Sequence, residues 1–126
     1  MDKKHLILII DDEEHILNSL KIYLTMEGFE TVVANRGKQA LELMNETKPS
    51  LVLLDVMMPE MDGFEVLSSI RKNDSLKDIP VVMLTAKAQD EDILKGYKEQ
   101  VSSYITKPFN LDELVDTINM ILSSGK

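Results

Sequence analysis

Cysteine and tryptophan are both absent from this chain of 126 residues. Without cysteine the chain can form neither a disulfide nor a thiolate metal site, which is compatible with a reducing compartment. No apolar run approaches the roughly 18 residues that a membrane-spanning helix needs. The first residues also lack the pattern of a signal peptide. We therefore expect a cytoplasmic protein that does not insert into a membrane.

Positive charge is scarce as well. The chain has 14 Lys and Arg against 22 Asp and Glu, for a net charge of −8. Nucleic acid phosphates would repel such a surface, so direct nucleic acid binding is not expected, and the acidic balance mainly favours solubility. The length fits one domain, 1–126, that is large enough to bury a core.

Short apolar runs alternate with amphipathic stretches along the whole chain. The runs predict five strands, over residues 5–10, 31–34, 51–55, 81–84 and 101–106. Helical spacing of apolar residues follows each run, weakly over 89–98 and most clearly in the last helix, which begins at Asn110 or Leu111. Strict alternation predicts an α/β fold, a doubly wound flavodoxin-like (βα)5 three-layer sandwich. Its five-stranded parallel sheet should have the order 2-1-3-4-5.

Polar residues stand where the predicted strands end. Asp11 and Asp12 follow the first strand, Asp55 ends the third, Thr85 the fourth, and Lys107 comes after the fifth. Parallel strands end at one edge of a sheet, and neighbouring strands lie about 4.8 Å apart. The carboxylates should therefore converge and repel each other unless a cation lies between them. Oxygen ligands alone favour a hard ion, with Mg²⁺ preferred.

Each of these residues also has an ordinary structural explanation. Asp11 or Asp12 can cap a helix, Asp55 can belong to a turn, and Lys107 can be a solvated charge. Glu13 and Glu14 fit the first turn of a helix. A chance gathering of all the strand-end residues at one edge is harder to explain, so the pattern favours a functional site in which Asp55 is a nucleophile that accepts a phosphoryl group.

The chain resembles the receiver domain of two-component response regulators over nearly its whole length. The matching pieces are Asp11 and Asp12, the run 55–63 (Asp-Val-Met-Met-Pro-Glu-Met-Asp-Gly), Thr85-Ala86, and Lys107-Pro108-Phe109. The resemblance implies a phosphorelay protein that is a switch rather than an enzyme. A sensor histidine kinase or phosphotransfer protein would supply the phosphoryl group.

The resemblance also implies a role for each matching residue. Asp55 would be the phosphoacceptor, and Thr85 and Lys107 would each bond a phosphoryl oxygen. Mg²⁺ would be held by Asp11, Asp12, Asp55 and the backbone carbonyl of Met57. Pro108 would follow a cis peptide bond, and Tyr104 would turn inward on activation. The fourth helix, fifth strand and fifth helix would present the output face to an unidentified target, with the protein a monomer or a weak phosphorylation-dependent dimer.

The chain departs from the family pattern in one place. The run Gln100-Val101-Ser102-Ser103 stands where receivers usually have a Gly-Ala-Asp-Asp-like run, and the missing glycine predicts an altered turn before the fifth strand. Met57 and Lys87 flank the presumed path of attacking water, so they should affect the lifetime of the phosphate. Four residues, 123–126, follow the last predicted helix, so no output domain is expected in this chain.

Three alternative functions remain. A metal-dependent aspartyl-phosphate phosphohydrolase usually has a second carboxylate two residues after the nucleophile, where this chain has Met57. A flavodoxin-like cofactor carrier would share the strand order. However, the acidic end of the first strand would repel a cofactor phosphate, and tryptophan is absent. A pseudo-receiver, with a purely structural sheet, would not need Asp12, Asp55, Thr85 and Lys107 together.

Overall fold

A five-stranded parallel sheet forms the centre of the computed structural model, which describes residues 4–56, 58, 61–85 and 100–124. The strands are β1 (Leu6–Ile10), β2 (Glu30–Ala34), β3 (Leu51–Asp55), β4 (Val81–Thr85) and β5 (Ser103–Thr106). Their order is β2-β1-β3-β4-β5, and every neighbouring pair is parallel. The predicted strand order is therefore confirmed, and each observed strand lies within two residues of its predicted bounds.

Helices cover both faces of the sheet. They are α1 (Glu14–Met26), α2 (Gly37–Thr47), α3 (Gly63–Lys72) and the C-terminal helix α4 (Leu111–Ser124). The predicted helix over 89–98 lies outside the described residues. Among the residues that the structure describes, no helix has both the length and the apolar character required to span a bilayer.

The central strands are apolar throughout because each of their faces packs against a helical layer. Along β3, Val52 and Leu54 join a core with the buried side chains of α2 and α3, whereas Leu51 and Leu53 join a second core with those of α1 and α4. β1 and β4 divide their side chains in the same way. Alternating orientation along a strand thus explains why continuous apolar runs, rather than alternating ones, predicted the sheet.

The first residue of α3 lies against the end of the central strand β3. The Gly63 amide donates a 2.8 Å hydrogen bond to the carbonyl of Val56. Asp62 caps α3 by accepting from the Glu65 amide at 3.0 Å, and the Glu65 side chain accepts from the Asp62 amide at 2.9 Å. This reciprocal capping box fixes where α3 begins relative to Asp55.

Gly63 is required by this close approach. A Cβ atom at Gly63 would lie 2.3 Å from the carbonyl oxygen of Asp55 and 3.0 Å from the Cα of Val56, both of which are backbone atoms. We therefore expect Gly63→Ala to lower the free energy of unfolding by about 2 kcal/mol, the typical cost of overpacking. Urea denaturation measures the change, with Ser69→Ala on the same helix as the control. A Gly63→Ala protein as stable as the control would contradict this packing.

Candidate functional site

Three carboxylates meet at the carboxyl edge of the sheet. Asp11 directly follows β1, and its amide continues the pairing with β2 by donating to the Ala34 carbonyl at 3.2 Å. Asp55 is the last residue of β3, the neighbour of β1 on its other side. One oxygen from each of Asp11, Asp12 and Asp55 lies within 4.8 Å of the others. The predicted convergence of these side chains is therefore present in the fold.

Two of these carboxylates are buried. Asp11 is fully buried and Asp55 is 5% exposed, whereas Asp12 is exposed. Asp11 also accepts a 3.0 Å hydrogen bond from the amide of Glu13, while the N-cap residue of α1, Glu13, makes no side-chain cap bond. Asp11 thus combines a local turn bond at the entrance of α1 with a place in the carboxylate cluster.

Lys107 brings one positive charge to the cluster. Its Nζ lies 2.9 Å from Asp11 Oδ2, 3.3 Å from Asp55 Oδ1 and 3.6 Å from Glu13 Oε1. The backbone of Lys107 is fixed beside β4, because its amide donates a 2.7 Å hydrogen bond to the Thr85 carbonyl. One ammonium therefore faces two buried carboxylates and one half-exposed carboxylate.

This imbalance changes the proton affinity of Asp55. Burial and the negative charge of Asp11 raise the pKa of Asp55 from 3.8 to about 7, although Lys107 opposes the rise. Burial lowers the pKa of Lys107, but its hydrogen bond to Asp11 and the charges of Asp55 and Asp11 outweigh burial and raise it. Lys107 therefore keeps its positive charge at neutral pH, while Asp55 holds a proton much more strongly than an exposed aspartate does.

The donor set fits a hard divalent cation. Asp11, Asp12 and Asp55 offer only oxygen ligands, and the positive charge that Lys107 supplies is smaller than the negative charge around it. Mg²⁺ prefers carboxylate oxygens and retains several waters, which suits a cluster with one exposed member. The backbone carbonyl of Met57, the fourth predicted ligand, lies outside the described residues, as does Lys87.

The other predicted site residues lie on β4 and β5 or just beyond them. Thr85 ends β4 and is fully buried, and it pairs with Thr106, the residue before Lys107. The Lys107–Pro108 peptide bond is cis. Tyr104 lies in the middle of β5 with 42% of its surface exposed. The fold therefore brings Thr85 and Lys107 to the edge that carries the carboxylates.

Glu13 is the site residue whose role was not predicted. Its position after two aspartates favoured a helix-dipole charge, yet its carboxylate reaches Lys107. Asp62 entered the sequence analysis only as part of the run 55–63, but its side chain caps α3. The spacing from Asp62 to Glu65 matches a capping-box pattern with Asp in place of Ser or Thr, and this signal could have identified the cap.

Comparison with known proteins gives a consistent result. The sequence model of the response regulator receiver domain matches residues 7–119. The chain is 40% identical over 116 residues to the transcriptional regulatory protein SrrA of Staphylococcus aureus, covering 92% of this chain and 47% of SrrA. It thus spans about half the length of the curated relatives it matches.

Solved structures of response regulators have the same fold as this chain. A putative response regulator from Chloroflexus aurantiacus superposes with a TM-score of 0.89 at 30% identity, covering 96% of this chain and 99% of that one. The chemotaxis response regulator CheY4 of Vibrio cholerae superposes with a TM-score of 0.86 at 28% identity, covering 94% and 99%.

The raised pKa of Asp55 predicts a pH-dependent stability difference. The folded protein holds a proton on Asp55 at pH values where the unfolded chain has lost it, so this group's stabilising contribution is complete below pH 3.8 and is lost as the pH rises through about 7. Asn mimics the protonated form. In metal-free buffer at pH 8, we expect Asp55→Asn to be more stable than the wild type by about 2–4 kcal/mol, since each pKa unit corresponds to about 1.4 kcal/mol.

Denaturation of both proteins between pH 4 and pH 8 measures this difference, which should shrink toward zero at pH 4. The exposed Asp74→Asn is the matched control, because its side chain is fully exposed. A stability gap that does not change with pH would contradict the assignment of the raised pKa to Asp55.

Proposed function

The chain belongs to the response regulator receiver domain family, and we propose that it receives a phosphoryl group on Asp55 and acts as a switch. One observation supports this proposal most strongly: the buried Asp55 shares a carboxylate cluster with the buried Asp11 and the exposed Asp12, and Lys107 lies 3.3 Å from the Oδ1 atom of Asp55. A nucleophilic oxygen, positive charge and room for a divalent cation are the components that phosphoryl transfer requires.

The phosphodonor we propose is a phosphohistidine on a sensor histidine kinase or phosphotransfer protein. A deprotonated oxygen of Asp55 forms the new bond to phosphorus. The bond from phosphorus to the donor's imidazole nitrogen breaks, and its electron pair leaves with that nitrogen. Because burial and the charge of Asp11 raise the pKa of Asp55 to about 7, any interaction that favours the ionised carboxylate also favours the nucleophile.

Asp11 and Asp12, together with Asp55, would hold Mg²⁺. When bound, the ion neutralises charge on the carboxylates and on the incoming phosphoryl oxygens. Lys107, whose Nζ now lies 2.9 Å from Asp11 Oδ2, would then be available to the phosphoryl group.

Lys107 and Thr85 would respond to the new charge. A phosphoryl group adds about −1.5 to −2 charge at the edge of the sheet. Lys107 exchanges its bond to Asp55 for one to a phosphoryl oxygen, and the Thr85 hydroxyl donates to another. Movement of Thr85 leaves space that Tyr104, 42% exposed in this structure, can fill from β5. This local change in charge biases an element with two arrangements.

The surface around β5 and α4, completed by the predicted helix over 89–98, would carry the output. SrrA is named a transcriptional regulatory protein, and this chain matches less than half of it. We propose that the receiver itself avoids nucleic acid because of its net charge of −8, so that any DNA contact comes from another segment or another protein. A weak dimer formed on phosphorylation is compatible with this scheme.

Mass spectrometry tests the phosphoacceptor directly. We expect acetyl phosphate with Mg²⁺ to add one phosphoryl group to the wild-type protein and none to Asp55→Asn. Asp62→Asn is the matched control, since Asp62 follows in the same loop but caps α3, and it should still be phosphorylated. An adduct that persists in Asp55→Asn would place the phosphoryl group on another residue.

Calorimetric titration tests the cation site. Asp12→Ala should weaken Mg²⁺ binding about tenfold or more, because one of three clustered oxygen ligands is lost. Asp74→Ala, which removes an exposed carboxylate far along the chain, should leave the affinity unchanged. Equal affinities of the two variants would mean that Asp12 is not a ligand.

A further inference from the structure

β5 leads directly to Lys107 and is the shortest strand of the described sheet. It has four residues, of which only Ile105 is buried. In the described sheet it is an edge strand that pairs with β4 alone. Its register relative to β4 decides where Lys107 lies, because Thr106 pairs with Thr85 and the Lys107 amide bonds to the Thr85 carbonyl.

Arg71, in the last turn of α3, binds the chain at the other end of β5. Its Nε and Nη2 atoms donate to the carbonyl of Gln100 at 2.9 and 2.5 Å. Its Nη1 atom donates to the carbonyls of Lys77 and Ile79 at 2.9 and 2.8 Å. One guanidinium therefore joins α3, the approach to β4 and the approach to β5.

The bonded carbonyls lie just before the two strands. Ile79 stands two residues before β4 begins at Val81, and Gln100 stands three residues before β5 begins at Ser103. The first bond between the two segments, from the Ser102 amide to the Val81 carbonyl at 2.8 Å, follows directly. Arg71 thus fixes the distance between these two segments of the chain at the point where β4 and β5 begin to pair.

This contact also explains how the unusual run at 100–103 is accommodated. Arg71 binds the backbone carbonyl of Gln100, and Val101 packs against the core on the α2 and α3 face, so the turn does not depend on a glycine. The predicted change in this turn is therefore compatible with a normally paired β5. A lysine at position 71 could not do the same, because an ammonium lacks the planar fork that reaches three carbonyls.

We propose that Arg71 is a positioning residue for Lys107, acting across the length of the sheet by fixing the register of β5. The two cations hold opposite ends of the same strand: Arg71 binds Gln100 before it, and Lys107 binds Asp11 and Asp55 after it. The effect on β5 is independent of the proposed function, and the effect on signalling rests on it.

Hydrogen–deuterium exchange of the unphosphorylated protein tests the proposed effect of Arg71 on β5. In Arg71→Met, exchange of the Ser102 and Lys107 amides should accelerate about tenfold or more, while amides of β1 and β3 change by less than about threefold. Lys72→Met is the matched control, since it removes an exposed cation from the same helical turn. Equal acceleration in β1, β3 and β5, or none in β5, would overturn the proposal.

Arg71→Lys keeps the positive charge, and it tests whether the guanidinium group fixes β5 even if Arg71→Met does not fold. It should accelerate exchange at Ser102 and Lys107 to a lesser degree, because a single ammonium can satisfy fewer of the carbonyls. Exchange in Arg71→Lys that equals the wild type would show that the fork geometry is unnecessary and would overturn the proposal.

The proposed effect of Arg71 on signalling is tested by comparing hydrogen–deuterium exchange of the phosphorylated and unphosphorylated proteins, with acetyl phosphate and Mg²⁺ as the reagents. Arg71→Met should accept a phosphoryl group but show a smaller phosphorylation-dependent change in exchange around Tyr104 than the wild type, as Lys107→Ala should. In the double variant this change in exchange should be no smaller than in the more affected single variant, because both substitutions act through Lys107. Full additivity would overturn the link to Lys107, whereas a wild-type protein without any adduct would instead refute the proposed function.

Discussion

Two buried carboxylates share one ammonium at the carboxyl edge of the sheet, and the site depends on that shortage of positive charge. Asp11 and Asp55 have both lost most of their contact with water, and Lys107 lies within 3.3 Å of each. Such an arrangement holds a proton on Asp55 or attracts a further cation. The same shortage prepares the site for Mg²⁺ and makes the position of Lys107 sensitive to any new charge.

The fold creates this arrangement by aligning strand ends. Asp11 and Asp55 come together because β1 and β3 are parallel neighbours, and Lys107 reaches them because β5 pairs with β4 in a fixed register. Gly63 lets α3 begin directly against the end of β3. Arg71 holds the opposite end of β5. Residues far from the carboxylates therefore contribute to the geometry of the site.

Much of this fold could be predicted from the sequence because its signals are strong and local. The apolar runs of β1, β3 and β4 are buried on both faces, and polar residues end them abruptly. The cluster of Asp11, Asp12 and Asp55 followed from the places of these residues at strand ends and from the predicted strand order. β5 was harder to delimit, because a four-residue edge strand with one buried side chain leaves little pattern.

Contacts that depend on side-chain reach could not be predicted in this way. Arg71 looks like a favourable charge at the end of a helix. Its bonds to Gln100, 29 residues later, depend on how α3 packs beside the approach to β5. Glu13 likewise contacts Lys107 only because β1 and β5 end at the same edge. Periodicity places elements, but it does not show which long side chains bridge them.

The central claim is most directly tested by a titration of Asp55 itself. The ¹³C chemical shift of its carboxyl carbon, followed against pH in metal-free protein, should give a pKa of about 7, and the midpoint should fall when Mg²⁺ is added. A midpoint near the ordinary value of 3.8 in metal-free protein would contradict the account, because Lys107 would then supply enough positive charge to offset both burial and the charge of Asp11.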